Sequence, residues 1–281
     1  LLGREITIIA DERIDSDFGT GALKVTPAHD ETDFEIGEDH GLEKITIMSP
    51  TGDINENGGP YEGMDRFDAR DQIVEDLEEE GLLVAVEDYM MSVPLSERSE
   101  AVIEPLISRQ WFVEMEPLAE PAIEAVREGE IEFFPDRWAN EYFRWMENIR
   151  DWCISRQLWW GHRIPVWYYT DEHGEADPEQ GYVVSIDQPE DGMVQETDVL
   201  DTWFSSWLWP FATLGWPEET DDLEKFYPTD VLVSGYDILF FWIARMIMAG
   251  YEFTGRPPFK NVFITGMVKD AQGRWMSKSL G

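Results

Sequence analysis

The chain has 281 residues, of which 43% are hydrophobic and 13% aromatic, so its composition excludes a disordered protein and allows two domains. Its net charge of −38, from 59 acidic and 21 basic residues, taken alone argues against a nucleic-acid partner. The longest apolar stretch, residues 238–250, is interrupted by Arg245 and is too short to span a bilayer. The single cysteine, Cys153, excludes an internal disulfide and predicts a cytoplasmic protein.

Two explanations fit the acidic charge. It occurs in generic acidic proteins, and it is also typical of halophilic chains, because the Debye length falls to roughly 3 Å at 1 M salt and self-repulsion is then screened. The acidic residues are spread over recognisable elements, which favours the halophilic interpretation. In strong salt, local contacts would decide whether a nucleic acid binds. The chain starts without methionine or an apolar leader, so we expect it to be an internal segment of a longer protein.

The sequence up to residue 91 predicts an α+β unit. Three segments have the short apolar runs of strands: residues 6–10, 22–26 and 82–86. Residues 32–40 predict a helix with Thr32 as its N-cap. Residues 66–80 predict an amphipathic helix that ends at Gly81.

In the remaining sequence, the order of strand, glycine, helix and strand over residues 231–265 predicts a parallel α/β sheet. Helices are expected at residues 121–128 and 140–150, and strands at residues 164–169, 231–234 and 261–265. Between the last two strands, Gly235 precedes a helix over residues 236–249 that is apolar on nearly all sides and is therefore expected to be buried. Such sheets bind ligands at the carboxyl ends of their strands.

The last nine residues combine a cation with hydroxyl groups, which stabilise charge on a phosphoryl centre. The central four are Met276, Ser277, Lys278 and Ser279. Alone they also fit a solvated loop. They resemble the lysine-methionine-serine-lysine-serine signature of class I aminoacyl-tRNA synthetases, whose second lysine stabilises the ATP phosphates as the adenylate forms. The resemblance implies catalytic roles for Lys278, Ser277 and Ser279, with Met276 and Lys278 binding ATP and its Mg²⁺. Trp275 stands where the family usually has its first lysine.

A second pattern lies at the end of the predicted strand 231–234. Gly235 allows the backbone to approach a ligand closely. Asp237 stands at a helix N-terminus, where an aspartate either caps the helix or binds ribose hydroxyls. In the class I family this junction carries a Gly-x-Asp that holds the adenosine ribose, so the resemblance implies that Gly235 and Asp237 bind ATP.

Aromatic runs surround Trp203 and Trp242. Most of their residues fit a hydrophobic core. However, the runs are closely similar to two segments of the valyl enzymes in this family, each of which gives a tryptophan to the pocket around the valine side chain. The resemblance thus assigns Trp203 and Trp242 to an amino-acid pocket, where rigid aromatic walls suit selection by shape. Trp207 replaces the glycine that usually follows the paired serines, so the local turn is not predicted.

Residues 24–33 carry the last pattern. Asp30 and Asp33 stand three residues apart, as acids that compensate a helix dipole do. The run also resembles the editing site of valyl, isoleucyl and leucyl enzymes. There an aspartate at the place of Asp30 binds the α-amino group, and in valyl enzymes the acid at the place of Asp33 meets the threonine hydroxyl. Lys24 and Thr26 would then line the site near the ester. A hydrophobic pocket rejects an added hydroxyl by only ~10², a factor established for the valyl enzyme itself.

The resemblance covers nearly the whole chain and implies an α/β fold: the second half of a class I Rossmann-type catalytic domain, preceded by part of an inserted α+β editing domain. We predict the C-terminal part of the editing domain at residues 1–92, a connection at 93–150, and the second catalytic half at 151–281. The implied function is ATP-dependent ligation of L-valine to tRNA(Val), with hydrolysis of threonyl-tRNA, by a monomeric enzyme.

Other functions stay open at this stage. They are an isoleucyl- or leucyl-type synthetase, a non-catalytic interaction module, and an editing-only deacylase. None of the four histidines forms the His-x-Gly-His motif that also contacts ATP in the family, so we expect no aminoacylation by the 281 residues alone. With one cysteine, we also expect no structural zinc.

Overall fold

The chain divides into two units, Leu1–Arg109 and Gln110–Gly281, and each has its own hydrophobic core. The structure, a computed structural model, describes residues 5–96 and 99–276. The domain boundaries at residues 92/93 and 150/151 stay predictions.

Two α-helices organise the first unit. They are α1 (Glu31–His40) and α2 (Arg66–Glu79), with a 3₁₀ helix at Glu56–Tyr61 between them. Asp30 caps α1 in place of the predicted Thr32, because its side chain accepts a hydrogen bond from the Asp33 N–H at 2.9 Å. Helix α1 ends at Gly41, whose φ of 63° lies in the left-handed region. Both helices therefore lie where the sequence predicts them, within a residue or two.

The three strands predicted for this unit are wrong. Residues 6–10, 22–26 and 82–86 are irregular in the structure, and Ile8 and Val84 are almost fully exposed. A strand requires a neighbour to complete its ladder of hydrogen bonds, and an apolar run indicates only that the backbone tolerates an extended form.

The second unit contains most of the regular structure. Its first elements are β1 (Phe112–Val113), α3 (Glu116–Arg127), β2 (Glu132–Phe134), α4 (Arg137–Met146), β3 (Trp152–Cys153) and β4 (Ser155–Arg156). The middle part holds β5 (Val166–Tyr168), β6 (Tyr182–Val184), β7 (Val194–Gln195), β8 (Val199–Leu200), α5 (Thr202–Ser206), α6 (Trp209–Ala212) and α7 (Asp221–Phe226). The last elements are β9 (Thr229–Gly235), α8 (Arg245–Thr254) and β10 (Phe259–Thr265).

A three-stranded parallel sheet, in the order β2-β10-β9, forms the centre of this unit. The register of β9 on β10 runs to Gly235 opposite Thr265, so the two strands end at the same edge. On one face of the sheet, Phe133 and Val262 are buried in the core with residues of α3, α4 and α8. The predicted parallel α/β arrangement is confirmed.

The segment between β9 and β10 changes helix type twice. Residues 236–249 were expected to form one α-helix, but a 3₁₀ turn (Tyr236–Ile238) and a π-helix (Leu239–Ala244) precede α8. The predicted burial is confirmed for residues 243–249, whereas Asp237 and Phe241, nearer the start of the segment, are exposed. Among the residues that the structure describes, no helix has both the length and the apolar character needed to cross a membrane.

A smaller antiparallel sheet has the strand order β6-β5-β7. On it, the Tyr168 hydroxyl donates to Glu196 Oε2 at 2.9 Å, and the Trp111 indole N–H lies 3.3 Å from the same oxygen. The backbone N–H groups of Thr197 and Asp198 donate to the other carboxylate oxygen. Glu196 is therefore held by groups from several segments.

Candidate active site

The carboxyl end of β9 brings Gly235 and Asp237 together. Gly235 has φ −74°, which any residue adopts, so the need for glycine here is one of space. A Cβ atom added to it would collide with Asp237 Oδ1 and would lie 3.2 Å from the sulfur of Met267. Within the described part of the chain, the Asp237 carboxylate forms no hydrogen bond, and the turn Tyr236–Ile238 has no side-chain cap.

A β-hairpin follows β10 at this edge. Lys269 and Trp275 pair across it, and the Met276 N–H donates to the Val268 carbonyl at 3.1 Å. Hydrogen bonds from the Arg274 backbone N–H and then its guanidinium hold the pKa of Asp270 below its usual range. The hairpin thus places Met276 opposite Val268, shortly after the end of β10. Three predicted catalytic residues lie outside the described residues: Ser277, Lys278 and Ser279.

Trp275 connects the hairpin to the segment that carries Asp237. Its ring meets the ring of Tyr236 edge to face, with centroids 6.3 Å apart, and Tyr236 stacks on Trp138 at 5.3 Å. On the hairpin itself, the ammonium of Lys269 lies over the Trp275 ring, 4.2 Å from its centroid. An aromatic ring with a cation therefore occupies the place where a lysine was expected.

The two tryptophans assigned to the amino-acid pocket lie on elements that contact each other. The Trp242 indole N–H donates to the Ser206 carbonyl at 2.9 Å, which joins the π-helix to α5. Trp203 stacks on Phe241 with ring centroids 6.2 Å apart. Both tryptophans are half-buried, so each keeps some surface for a ligand. Trp207 ends α5 with a right-handed helical backbone, and this turn has no need of glycine.

Asp201, which sequence reasoning missed, positions Trp203. One carboxylate oxygen caps α5 by accepting from the Trp203 N–H at 2.7 Å, and the other pairs with the Arg156 guanidinium. The Asp201 residue is only 7% exposed. A capping residue directly before an aromatic helix was the available sequence signal.

Arg245, also missed, lies beneath the same elements. Its guanidinium carbon is 3.6 Å from the centre of the Trp152 ring, and Nη1 donates to the Phe241 carbonyl at 3.4 Å. Burial lowers the pKa of Arg245 to about 10, and the charge of Asp201 opposes this shift. The group stays protonated at neutral pH. The sequence feature that could have indicated a role for Arg245 is its position as a lone arginine in an apolar helix.

The loop after β4 leaves two tryptophans in solvent. Trp159 and Trp160 are almost fully exposed. Gly161 follows them, and a Cβ atom there would lie 2.7 Å from a methyl carbon of Val199. The loop therefore lies close to β8 at Gly161, while both indoles are exposed.

In the first unit, the four editing candidates form a chain of contacts. The Lys24 ammonium lies 3.5 Å from the Thr26 hydroxyl, and Thr26 donates from both its N–H and its hydroxyl to Asp33 Oδ2, at 2.7 and 3.0 Å. Asp33 in turn donates its N–H to Asp30. Asp33 is 6% exposed, whereas Asp30, Lys24 and Thr26 are exposed. The structure thus brings the predicted residues together and gives both acids structural partners as well.

His29 fastens this cluster to two other segments. Its Nε2 accepts from the Ile47 N–H at 2.9 Å, and its Nδ1 lies 3.2 Å from the Pro105 carbonyl. A ring that accepts at Nε2 can donate to the Pro105 carbonyl from Nδ1, since a carbonyl cannot donate. The start of α1 is therefore anchored from outside the helix.

Two clefts are lined by residues outside the predicted site residues. One of about 190 Å³ in the first unit is lined by residues that include Ser49, Arg66 and Glu104. The other, of about 540 Å³ in the second unit, lies between α3 and β2 and is lined by Val126 and Phe133. Across residues 5–96 and 99–276, no cluster of three or more His, Cys, Asp or Glu side chains is arranged to hold a metal ion.

Comparison with known proteins identifies the relatives of the chain. The family model described as tRNA synthetases class I (I, L, M and V) matches residues 24–281. The chain is 56% identical over 288 residues to a protein of Clostridium tetani and 58% identical over 282 residues to one of Thermotoga maritima, both named Valine--tRNA ligase. Each alignment covers 100% of this chain and 32% of the relative, so the chain spans about a third of their length.

Solved structures show a more distant similarity. A methionyl-tRNA synthetase of Mycobacterium tuberculosis, bound by methionyl-adenylate, is 18% identical with a TM-score of 0.44. That alignment covers 67% of this chain and 32% of the other.

Proposed function

The chain belongs to the class I tRNA synthetases, and from this premise we propose that the whole protein ligates L-valine to tRNA(Val), using ATP with Mg²⁺ as substrate. The observation that carries the proposal is the 56–58% identity, over the whole chain, to proteins named Valine--tRNA ligase. We place the enzyme in the cytoplasm and expect it to act as a monomer. An isoleucyl- or leucyl-type function is not favoured, because the relatives are valine ligases.

The proposed reaction starts with an attack of the valine carboxylate on the α-phosphorus of ATP, which releases pyrophosphate and leaves valyl-adenylate. Asp237, an exposed acid at the strand end without a partner in the described chain, is suited to accept hydrogen bonds from the ribose hydroxyls. Trp203 and Trp242, fixed by Phe241 and Ser206, supply rigid walls for a small branched side chain. We assign the phosphates to the hairpin and to Lys278 after it.

Valine-dependent exchange of pyrophosphate into ATP tests this proposal on the whole protein. We expect exchange with valine, weaker exchange with threonine, and much weaker exchange with leucine. Trp242→Ala should raise the KM for valine by roughly tenfold or more, because it removes a pocket wall and leaves a cavity. Equal or better exchange with isoleucine or leucine would overturn the assignment to valine.

A second site would hydrolyse threonyl-tRNA. We propose that the exposed carboxylate of Asp30 binds the α-amino group of the mischarged threonine, with Asp33 recognising its hydroxyl. Lys24 and Thr26 then lie next to the ester, joined to Asp33 by the contacts described above. A site that offers a carboxylate to the hydroxyl prefers threonine over valine by charge-assisted hydrogen bonding.

Accumulation of threonyl-tRNA is the measurement that separates this role from helix capping. Asp30→Ala should raise the level of threonyl-tRNA formed by the whole protein while valine exchange stays unchanged. The matched control is Asp65→Ala, because Asp65 caps α2 by accepting from the Phe67 N–H at 2.8 Å and lies outside the cluster. If Asp30→Ala and Asp65→Ala gave the same level of threonyl-tRNA, helix capping alone would explain Asp30 and the proposed editing role would be wrong.

A further inference from the structure

The hairpin after β10 carries two cations with different surroundings. Arg274 Nε lies 2.8 Å from the Asp270 carboxylate, so its charge is locally compensated. The Lys269 ammonium has an aromatic partner instead, since it lies over the Trp275 ring. Across residues 5–96 and 99–276, no carboxylate pairs with Lys269. In a chain with 59 acidic and 21 basic residues, Lys269 therefore keeps a positive charge that is available to an anion.

Trp275 holds this cation at the strand ends. Its ring contacts Tyr236, which stands between Gly235 and Asp237 in sequence, and the hairpin follows directly from β10. The indole face attracts an ammonium through its quadrupole but uses none of its hydrogen-bond donors. A lysine bound in this way retains N–H groups for a phosphate.

We infer that Lys269, supported by the ring of Trp275, supplies to the ATP phosphates the positive charge that a lysine at position 275 would otherwise provide. The inference rests on the proposed function, because it takes ATP to be the substrate of this edge. Its physical basis is the position of the ammonium, 4.2 Å from the centroid of the very ring that replaces the lysine. Lys269 and Trp275 are paired across the hairpin, so the cation at position 269 lies next to the position where the family has its lysine.

ATP affinity of the whole protein, measured by calorimetry with Mg²⁺-ATP beside valine-dependent exchange, tests the inference. Lys269→Ala should weaken ATP binding by about tenfold, the usual effect of losing one charge-assisted hydrogen bond. Lys269→Arg should bind ATP as the wild type does. Trp275→Lys alone should change the affinity by less than about threefold, because the lost ring is offset by a new cation.

The double variant Lys269→Ala with Trp275→Lys is decisive. If Lys269 acts through its charge, the new lysine restores ATP affinity to within about threefold of the wild type. If the pair only stabilises the hairpin, the double variant binds ATP no better than Lys269→Ala, and the inference is overturned.

The matched control is Lys260→Ala, which removes a lysine near the other end of β10, where its ammonium lies 3.9 Å from Asp230. It should leave ATP affinity unchanged, and an equal loss there would show that only net charge matters. A wild-type protein that fails to bind ATP would overturn both the proposed function and this inference. Normal ATP binding by both the wild type and Lys269→Ala would overturn the inference alone.

Discussion

At the scale of single residues, the candidate site depends on side chains that satisfy two requirements at once. Asp201 caps α5 and also pairs with Arg156, so Trp203 is held by the same carboxylate that neutralises a nearby cation. Gly235 leaves room for the Asp237 carboxylate beside the strand end. In both cases a small change at one position alters the orientation of a neighbour that we expect to touch the substrate.

Gly235→Ala should weaken ATP binding with little loss of stability. The added methyl group would displace the Asp237 carboxylate, whereas φ at this residue already suits alanine. We expect the KM for ATP to rise by about tenfold, equivalent to about 1.4 kcal/mol, with a melting temperature close to that of the wild type. Gly266→Ala is the control, because nothing lies within 4 Å of a Cβ atom there. Similar effects of both substitutions would remove the steric argument.

At the scale of elements, the sequence predicts what depends on local pattern and fails where a distant partner decides. Helices α1 and α2 have their own capping aspartates and periodic apolar residues, and their positions were predictable. The strand predicted at residues 82–86 does not form, because its apolar residues find no partner strand among the described residues. The π-helix at Leu239–Ala244 was not predicted for another reason. All six of its residues are apolar, so their pattern fits the period of an α-helix as well as that of a π-helix.

The candidate site shows the same division. Lys24, Thr26, Asp30 and Asp33 are close in sequence, so their proximity in space followed from the short separation and from the predicted helix start. Asp201 and Arg156 are 45 positions apart, and only the pairing of β4 with β8 joins them. Periodicity and local motifs contain no information on that pairing, which is set by the tertiary packing.

The small antiparallel sheet should become less stable in acid through Glu196. Burial opposes ionisation of this carboxyl, but hydrogen bonds from the Asp198 N–H and Tyr168 outweigh it and hold its pKa below the usual 4.5. The ionised form therefore stabilises the folded state above about pH 4.5, and this contribution is lost as the pH falls through the lower folded-state pKa. Glu196→Gln should flatten the dependence of the unfolding free energy on pH in this acidic range.

Urea denaturation at a series of pH values measures this effect. Glu172→Gln is the control, since its side chain is 87% exposed and belongs to the same part of the chain. The explanation through Glu196 would be wrong if the two variants kept the same acid sensitivity as the wild type.

At the scale of the whole molecule, the charge of −38 dominates the surface. Cations are few, and many are already engaged: Arg13 pairs with Asp11 and Asp39, and Arg127 pairs with Glu124 and Glu147. Repulsion among the remaining carboxylates opposes folding at low ionic strength. A halophilic origin stays a prediction, and the salt dependence of stability separates it from a generic acidic surface.

The melting temperature should rise with KCl concentration. Simple screening is nearly complete once the Debye length approaches roughly 3 Å at 1 M salt, so a generic acidic protein reaches a plateau by about that concentration. A chain adapted to multimolar salt should continue to gain stability up to about 2 M or more, because its carboxylates hold hydrated cations. Scanning calorimetry from about 0.1 M to about 3 M KCl measures the curve. A plateau below 1 M would refute the halophilic interpretation.

The two solvent-exposed tryptophans, Trp159 and Trp160, allow the surface charge of the molecule to be probed by fluorescence quenching. Indoles in water emit at longer wavelengths than buried ones, so the red edge of the fluorescence comes chiefly from this pair and from other exposed rings such as Trp209. Caesium ions gather near the anionic surface and iodide ions are repelled from it. The ratio of quenching by the two ions at the red edge thus reports the electrostatic potential beside the exposed indoles, and its change on adding ATP or tRNA reports how that potential shifts when a polyanion binds.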